Sequence, residues 1–263
     1  MARQKLGQHF LIRRSVLERI ARAACPEREP LILEIGAGRG ALTECLLCRA
    51  DRVTAIEIDP YLVRHLEQKF AGESRFEVVE GDALETDLGR WGPVVIVGNL
   101  PYYAASAILQ RVLELGPVLR RGVFLVQKEV AERAAARPGS RDYGYFSVAV
   151  QMCADIEMLF EVKPAAFHPP PKVDSAVLRC VPRDRAAELG IAERREFLEF
   201  VALCFRQKRK TLRNNLAGRY GAVIGQWPEA RLRAEQIDLP AFAAMYRRLS
   251  SGCLCPASKR DSF

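Results

Sequence analysis

Between residues 31 and 126 short aliphatic runs alternate with helical stretches, and a chain patterned this way has to bury a parallel sheet between layers of helices. Leu31-Ile32-Leu33-Glu34-Ile35 reads as a strand, Gly36-Ala37-Gly38-Arg39-Gly40 as a tight loop, and a helix then runs to about Ala50. Val53-Thr54-Ala55-Ile56-Glu57-Ile58 is a second strand, and Pro60 opens a helix to Phe70. Further strands are expected at Phe76–Val79, Val94–Val97 and Val123–Val126, with a helix near 104–115. Past residue 155 the rhythm changes. Ile156–Val162 and Val173–Val181 read as an antiparallel hairpin around Pro169-Pro170-Pro171, and from about residue 184 the pattern is helical and basic. The expected fold is α/β with a small C-terminal all-α domain.

Composition narrows the class. A chain of 263 residues with 49% hydrophobic and 27% charged residues is globular rather than disordered or fibrous. Its longest apolar runs, such as Val94–Val97, are far too short to span a bilayer, and no apolar core follows the basic Met1–Lys5 stretch. A cytoplasmic protein without membrane contact, monomeric by default, is expected. The net charge of +8 is uneven: residues 1–14 carry four basic and no acidic side chains, and 183–263 carry sixteen basic against nine acidic. The expected domains are a basic arm at 1–14, a catalytic body at 15–182 and a helical, polyanion-gripping domain at 183–263.

Eight cysteines invite a metal or redox reading, which the spacing does not support. Cys45 and Cys48 fall inside a helix without two further ligands nearby, whereas Cys253 and Cys255 lie in a distant tail. The helix pair is expected to be small buried thiols, and no metal site is expected.

The glycine loop is a ligand cradle in which the backbone can approach closely. Its spacing is not the G-x-G-x-x-G of a pyrophosphate site, and Glu34 before it suits a cationic, phosphate-free ligand. Glu57, ending the second strand, can accept from two ribose hydroxyls, and Asp82, after Gly81, from an exocyclic adenine amine. A nucleoside with a positive centre and no phosphate is S-adenosylmethionine. Asn99-Leu100-Pro101-Tyr102 follows the fourth strand at the edge where α/β ligands bind. An adenine amine is a poor nucleophile because its lone pair is delocalised into the ring. The Asn99 side-chain oxygen and the Leu100 carbonyl, aimed by Pro101, can hold both N–H groups and free that pair, while Tyr102 stacks on the flipped base. Cytosine C5 chemistry needs a Pro-Cys nucleophile; Cys25-Pro26 and Cys255-Pro256 have the reverse order. In the C-terminal part, Phe197, Val201, Phe205, Leu212 and Leu216 read as a buried helical stripe. Arg206, Arg209, Lys210 and Arg213 read as a separate basic helix face for the phosphates of a polyanion.

These motifs, in this order, resemble the small-subunit ribosomal RNA adenine dimethyltransferases. Gln8-His9-Phe10-Leu11, Glu34-Ile35-Gly36, Ile56-Glu57-Ile58-Asp59, Gly81-Asp82-Ala83 and Asn99–Tyr102 carry the likeness. So do Gln127–Val130, Tyr143-Gly144, Phe167–Ser175 and Arg209–Leu216. The resemblance implies a Rossmann-like fold with a seven-stranded, mostly parallel sheet. It further implies that His9, Leu11, Gly36, Glu57, Asp82 and Asn99 line the cofactor pocket. The implied reaction places four methyl groups on two adjacent adenosines in a hairpin loop near the 3′ end of 16S rRNA. The implied partner is the 30S subunit or its precursor, with a role in subunit biogenesis. Two alternatives stand beside it: an Erm-type methyltransferase of 23S rRNA, and a non-catalytic RNA-binding assembly factor. The Phe167–Ser175 and Arg209–Leu216 blocks favour the small subunit, and the intact Asn99–Tyr102 motif favours catalysis.

Overall fold

The computed structural model describes residues 9–251, with the side chains of the last two excepted. Arg3, Lys5, Gln8, Cys253 and Cys255 lie outside the described residues.

In chain order the main elements begin with β1 (Phe10–Leu11), α1 (Arg14–Ala24), β2 (Ile32–Ile35), α2 (Ala41–Leu47) and β3 (Val53–Glu57). Then come α3 (Pro60–Lys69), β4 (Phe76–Glu80), β5 (Val94–Asn99), α4 (Ala105–Leu113), β6 (Leu119–Gln127) and α5 (Lys128–Ala135). They continue with α6 (Tyr145–Gln151), β7 (Ala154–Val162), β8 (Phe167–His168) and β9 (Ser175–Pro182). The last are α7 (Arg185–Glu188), α8 (Arg194–Cys204), α9 (Leu212–Tyr220) and α10 (Leu239–Ser251). Among these described residues no helix is long and apolar enough to cross a membrane.

Seven strands form one sheet in the order β4-β3-β2-β5-β6-β9-β7. Five run parallel, and β9 and β7 join antiparallel through the expected hairpin. Burial explains the patterning. The central β2 and β3 are buried throughout, so they read as continuous apolar runs apart from Glu34, Thr54 and Glu57. The edge strands β4 and β7 are covered less completely and mix exposed with part-buried positions. Helix α1 turns Val16, Leu17, Ile20, Ala21 and Ala24 inward, the spacing of one helical face, and packs beside α2. Helix α3 starts where expected because Pro60 cannot donate and the Asp59 side chain accepts from the Tyr61 amide at 2.9 Å. A cleft opens at the carboxyl ends of β2 and β5, on either side of which the chain winds in opposite directions. The two strands approach so closely that a Cβ on Gly98 would sit 2.5 Å from the Ile35 carbonyl oxygen.

The chain divides into two compact units: one holds the chain up to Ala135 with Cys153–Arg183, the other Ala136–Met152 with the chain from Asp184. This corrects the expected boundaries in two places. Residues 136–152 belong with the helical unit, not with the sheet. Tyr143, only 2% exposed, meets Phe205 edge-on at 6.1 Å, and Lys208 donates to the Arg141 carbonyl at 2.7 Å. The described part of the arm is not separate either, because Phe10 and Leu11 pair with His168 and Phe167. A third correction concerns the helix pair of cysteines: Cys45 is buried, but Cys48 is exposed at the end of α2.

Candidate active site

The loop between β2 and α2 turns sharply because Gly36, Gly38 and Gly40 take φ values of 71°, 57° and 77°, a region L side chains rarely occupy. Gly40 serves as the N-cap of α2. A Cβ on Gly38 would also come within 3.1 Å of the Phe10 ring, which therefore lies directly against the loop. Arg39 stands over the same ring at 4.6 Å. The cleft beside this loop holds about 900 Å³ of empty space, the open solvent at its mouth included. Of the residues expected from sequence, His9, Gly36, Glu57, Asp82, Asn99, Leu100, Pro101 and Tyr102 all line it.

Glu57 is 4% exposed, and both of its oxygens are held by the backbone. Oε2 accepts from the Gly38 amide at 2.9 Å and Oε1 from the Asp59 amide at 3.1 Å. Burial pushes this carboxyl above the ordinary range, and the amide hydrogen bonds pull it back toward the charged form. Each oxygen keeps lone-pair capacity for a further donor. Asp82 is fixed in the same way, its Oδ1 accepting from the Leu84 amide at 2.8 Å. Two carboxylates and no lysine or arginine line the cleft among the described residues.

Asn99 closes β5, and its Nδ2 donates to the His9 carbonyl at 3.1 Å. That bond engages the donor end of the amide and leaves Oδ1 as the end free to accept. His9 is itself tied down, since Nδ1 donates to the Pro169 carbonyl at 2.8 Å. The Leu100 amide donates to the Leu125 carbonyl at 3.0 Å, fixing the backbone just where a second acceptor is required. Tyr102 lies 5.5 Å from the His9 ring, tilted by 33°, and its hydroxyl pairs with Ser175 Oγ at 2.9 Å. Burial raises the phenol above its ordinary value, against the opposing effect of that hydrogen bond, so the group stays neutral.

Two expectations are corrected. Glu34 does not line the cleft: it is 1% exposed and accepts from the Thr43 hydroxyl at 2.6 Å. Burial, aided by the nearby Glu57, pushes it up to about 7, with Thr43 and Lys69 opposing. Its place in the strand pattern turns it into the interior beneath the loop. Leu11 likewise belongs to the hydrophobic core, 5% exposed, rather than to the cleft wall. Sequence reasoning also missed residues that the cleft recruits. Phe10, Ile58, Leu84 and Tyr103 line it, and Ile58 and Tyr103 remain 44% and 67% exposed. The signal available in the sequence was adjacency: Ile58 directly follows Glu57 at the end of β3, and Tyr103 directly follows the Asn99–Tyr102 motif. Among the described residues no group of three or more His, Cys, Asp or Glu is placed to hold a metal.

In the helical unit, the expected continuous basic face is not helical throughout. Helix α8 stops at Cys204 and α9 starts at Leu212, so Arg206, Arg209 and Lys210 ride on the connecting loop and only Arg213 on a helix. Asn215 holds that break in place, its Nδ2 donating to the Cys204 carbonyl at 2.7 Å and the Gln207 carbonyl at 3.2 Å. The stripe is buried at Phe197, Val201, Leu212 and Leu216, while Phe205 is half-buried. All four basic side chains are exposed.

Comparison with known proteins agrees with this geometry over nearly the whole chain. The model of the family "Ribosomal RNA adenine dimethylase" matches residues 1–247. The "Ribosomal RNA small subunit methyltransferase A" of Acidobacterium capsulatum is 43% identical over 256 residues, covering 93% of this chain and 90% of that one. Among solved structures, a dimethyladenosine transferase from Plasmodium falciparum superposes with a TM-score of 0.80 at 25% identity, covering 92% of this chain and 98% of its own. The 23S rRNA methyltransferase ErmE superposes with a TM-score of 0.68 at 29% identity, covering 92% and 99%.

Proposed function

Because the chain belongs to the ribosomal RNA adenine dimethylase family, we propose that it methylates, twice each, the N6 amines of two adjacent adenosines. The target is the hairpin loop near the 3′ end of 16S rRNA, presented by the small ribosomal subunit or its precursor in the cytoplasm. The observation that carries this reading is the orientation of Asn99, whose amide nitrogen is engaged by His9 while its oxygen is left to accept from an amine. The small-subunit substrate rests on the relatives named for it, among them the Acidobacterium protein.

The cleft fits S-adenosylmethionine. Its glycine loop admits a closely approaching ligand, Glu57 has acceptor capacity for a ribose diol, and Asp82 can take an adenine amine. Acids without basic residues on the wall favour a cation over a phosphate. His9, Gly36, Glu57, Asp82 and Asn99 would hold it, with Leu11 supporting His9 from the core. When bound, the cofactor supplies an electrophilic methyl group on a positively charged sulfur.

The protein's own part is positioning. Asn99 Oδ1 and the Leu100 carbonyl accept the two N–H groups of the target amine and draw its lone pair out of ring conjugation. Pro101 sets the carbonyl's direction and Tyr102 offers its face to the flipped base. No strong base is required at the outset, since the amine becomes acidic only after it has been alkylated. Catalysis therefore resides in orientation and in electrostatics prepared beforehand. Arg206, Arg209, Lys210 and Arg213 grip phosphates without reading sequence.

Transfer of radiolabelled methyl groups to purified subunits lacking the modification tests the reading. Small subunits should acquire dimethyladenosine and large subunits none. Labelling of large subunits alone would replace it with the Erm-type reading, and labelling of neither with a non-catalytic role.

A further inference from the structure

The hydrogen bond between Tyr102 and Ser175 spans 73 positions of sequence and joins the catalytic turn to the antiparallel side of the sheet. Ser175 is fully buried and is the first residue of β9. It stands in register with Gln127 on β6 and with Val162 on β7, so ladders on both sides fix its backbone. The residue before it is anchored as well: the Asp174 carbonyl accepts from the Lys128 amide at 3.0 Å, and its carboxylate pairs with Lys163 at 2.5 Å. Tyr102 lies in the short turn between β5 and α4, outside both ladders, so the setting of its ring is left to side-chain contacts. A tyrosine ring in a turn can swing about two torsions, and a base stacks well on only one setting of its face.

We propose that Ser175 is a positioning residue for methyl transfer, its hydroxyl pinning the Tyr102 ring in the plane on which the target adenine stacks. The inference rests on the reading of Tyr102 as the stacking platform. The His9 ring bounds the platform on another side, so its plane is set by residues from three separate parts of the chain. Pinning matters because the reacting amine hangs from the stacked ring, and a small tilt of the platform is magnified at N6. Misplacements of about 1 Å can lower rates by up to two orders of magnitude.

The test is a double-mutant cycle of Ser175→Ala and Tyr102→Phe in the full chain. Methyl transfer to small subunits is measured alongside thermal melting and cofactor titration. The emission of 2-aminopurine, placed at the target position of reconstituted subunits, reports stacking. Each single variant should lower kcat about tenfold with KM, cofactor affinity and melting close to wild type. The double variant should be no worse than either single one, and all three should lose the same share of the 2-aminopurine quenching. The proposal is overturned if Ser175→Ala transfers at the wild-type rate, if the two losses multiply, or if melting falls while quenching is untouched. Should Ser175→Ala fail to fold, Tyr102→Phe reads the same bond from its other end, and wild-type transfer by that variant would overturn the proposal. A wild-type chain that methylates no subunit defeats the functional reading and this inference together. A wild type that transfers normally, with variants equal to it, defeats the inference alone.

Discussion

The Asn99–Tyr102 turn and the loop carrying Arg206, Arg209 and Lys210 hold the residues proposed for catalysis and for phosphate contact in opposite physical states. In the turn, Asn99 and Tyr102 are hydrogen-bonded to residues 90 and 73 positions away, and the Leu100 backbone is tied to β6. In the loop, the cationic ends are exposed, and among the described residues none of the three, nor Arg213, enters an ion pair. Rigid placement suits a group that must meet one amine in one geometry. Exposed, loosely held charge suits contact with a phosphate backbone, where long-range attraction matters more than angle. The two regions therefore should fail differently when altered.

The largest effect is expected in the turn. Asn99→Ala should lower methyl transfer by about two to three orders of magnitude, the scale of a lost preorganised polar partner, with subunit affinity unchanged. Single-turnover rates within a few-fold of wild type would erase the contrast. Next is the loop: reversing Arg209, Lys210 and Arg213 to Glu should weaken subunit binding by about one to two orders of magnitude and flatten its salt dependence. Cofactor affinity should stay the same, and equilibrium binding across a salt series, with calorimetry for the cofactor, checks both. Glu57→Ala should weaken cofactor binding by about 1–3 kcal/mol, the range for hydrogen bonds to a charged group, and leave RNA binding intact. Unchanged cofactor affinity in calorimetry would remove Glu57 from the cofactor set.

The last effect touches stability alone, leaves both regions in place and has a definite sign. Glu34 ordinarily titrates at 4.5 and is raised to about 7 in the fold, so the folded state holds its proton more tightly than the unfolded chain. Its contribution is complete below about pH 4.5 and is lost as pH rises toward 7. Glu34→Gln keeps an acceptor for Thr43 and should flatten that decline, gaining at most about 3 kcal/mol at pH 8. Chemical denaturation at pH 5 and pH 8 measures the difference; an equal decline in both proteins would refute it.

How far the site could be read from sequence follows from the range of the interactions concerned. Glu57, Asp82 and Asn99 were legible because each stands at or just past a strand end, and the strands announce themselves through continuous burial. Glu34 misled for the same reason. A carboxylate beside a glycine loop looks like a ligand contact until the fold shows the buried Thr43 hydroxyl donating to it. The basic cluster misled through periodicity: three- and four-residue steps persist across residues 205–211 although the helix stops there. Nothing local marks the break, because Asn215 makes it from the following helix.

Sequence by itself determined the alternating α/β order, the glycine cradle, the acidic strand ends and the Asn-Leu-Pro-Tyr turn. Each depends on residues within a few positions of one another, where backbone conformation and burial period act directly. Tertiary structure alone decided that β9 lies between β6 and β7 and so delivers Ser175 to Tyr102. It also decided that β1 pairs with β8 and brings the His9 carbonyl to Asn99, and that residues 136–152 leave the sheet for the helical unit. The reason is loop closure: contacts across 73 or 90 positions form only once the strand order has brought the segments together, and no short motif encodes that order.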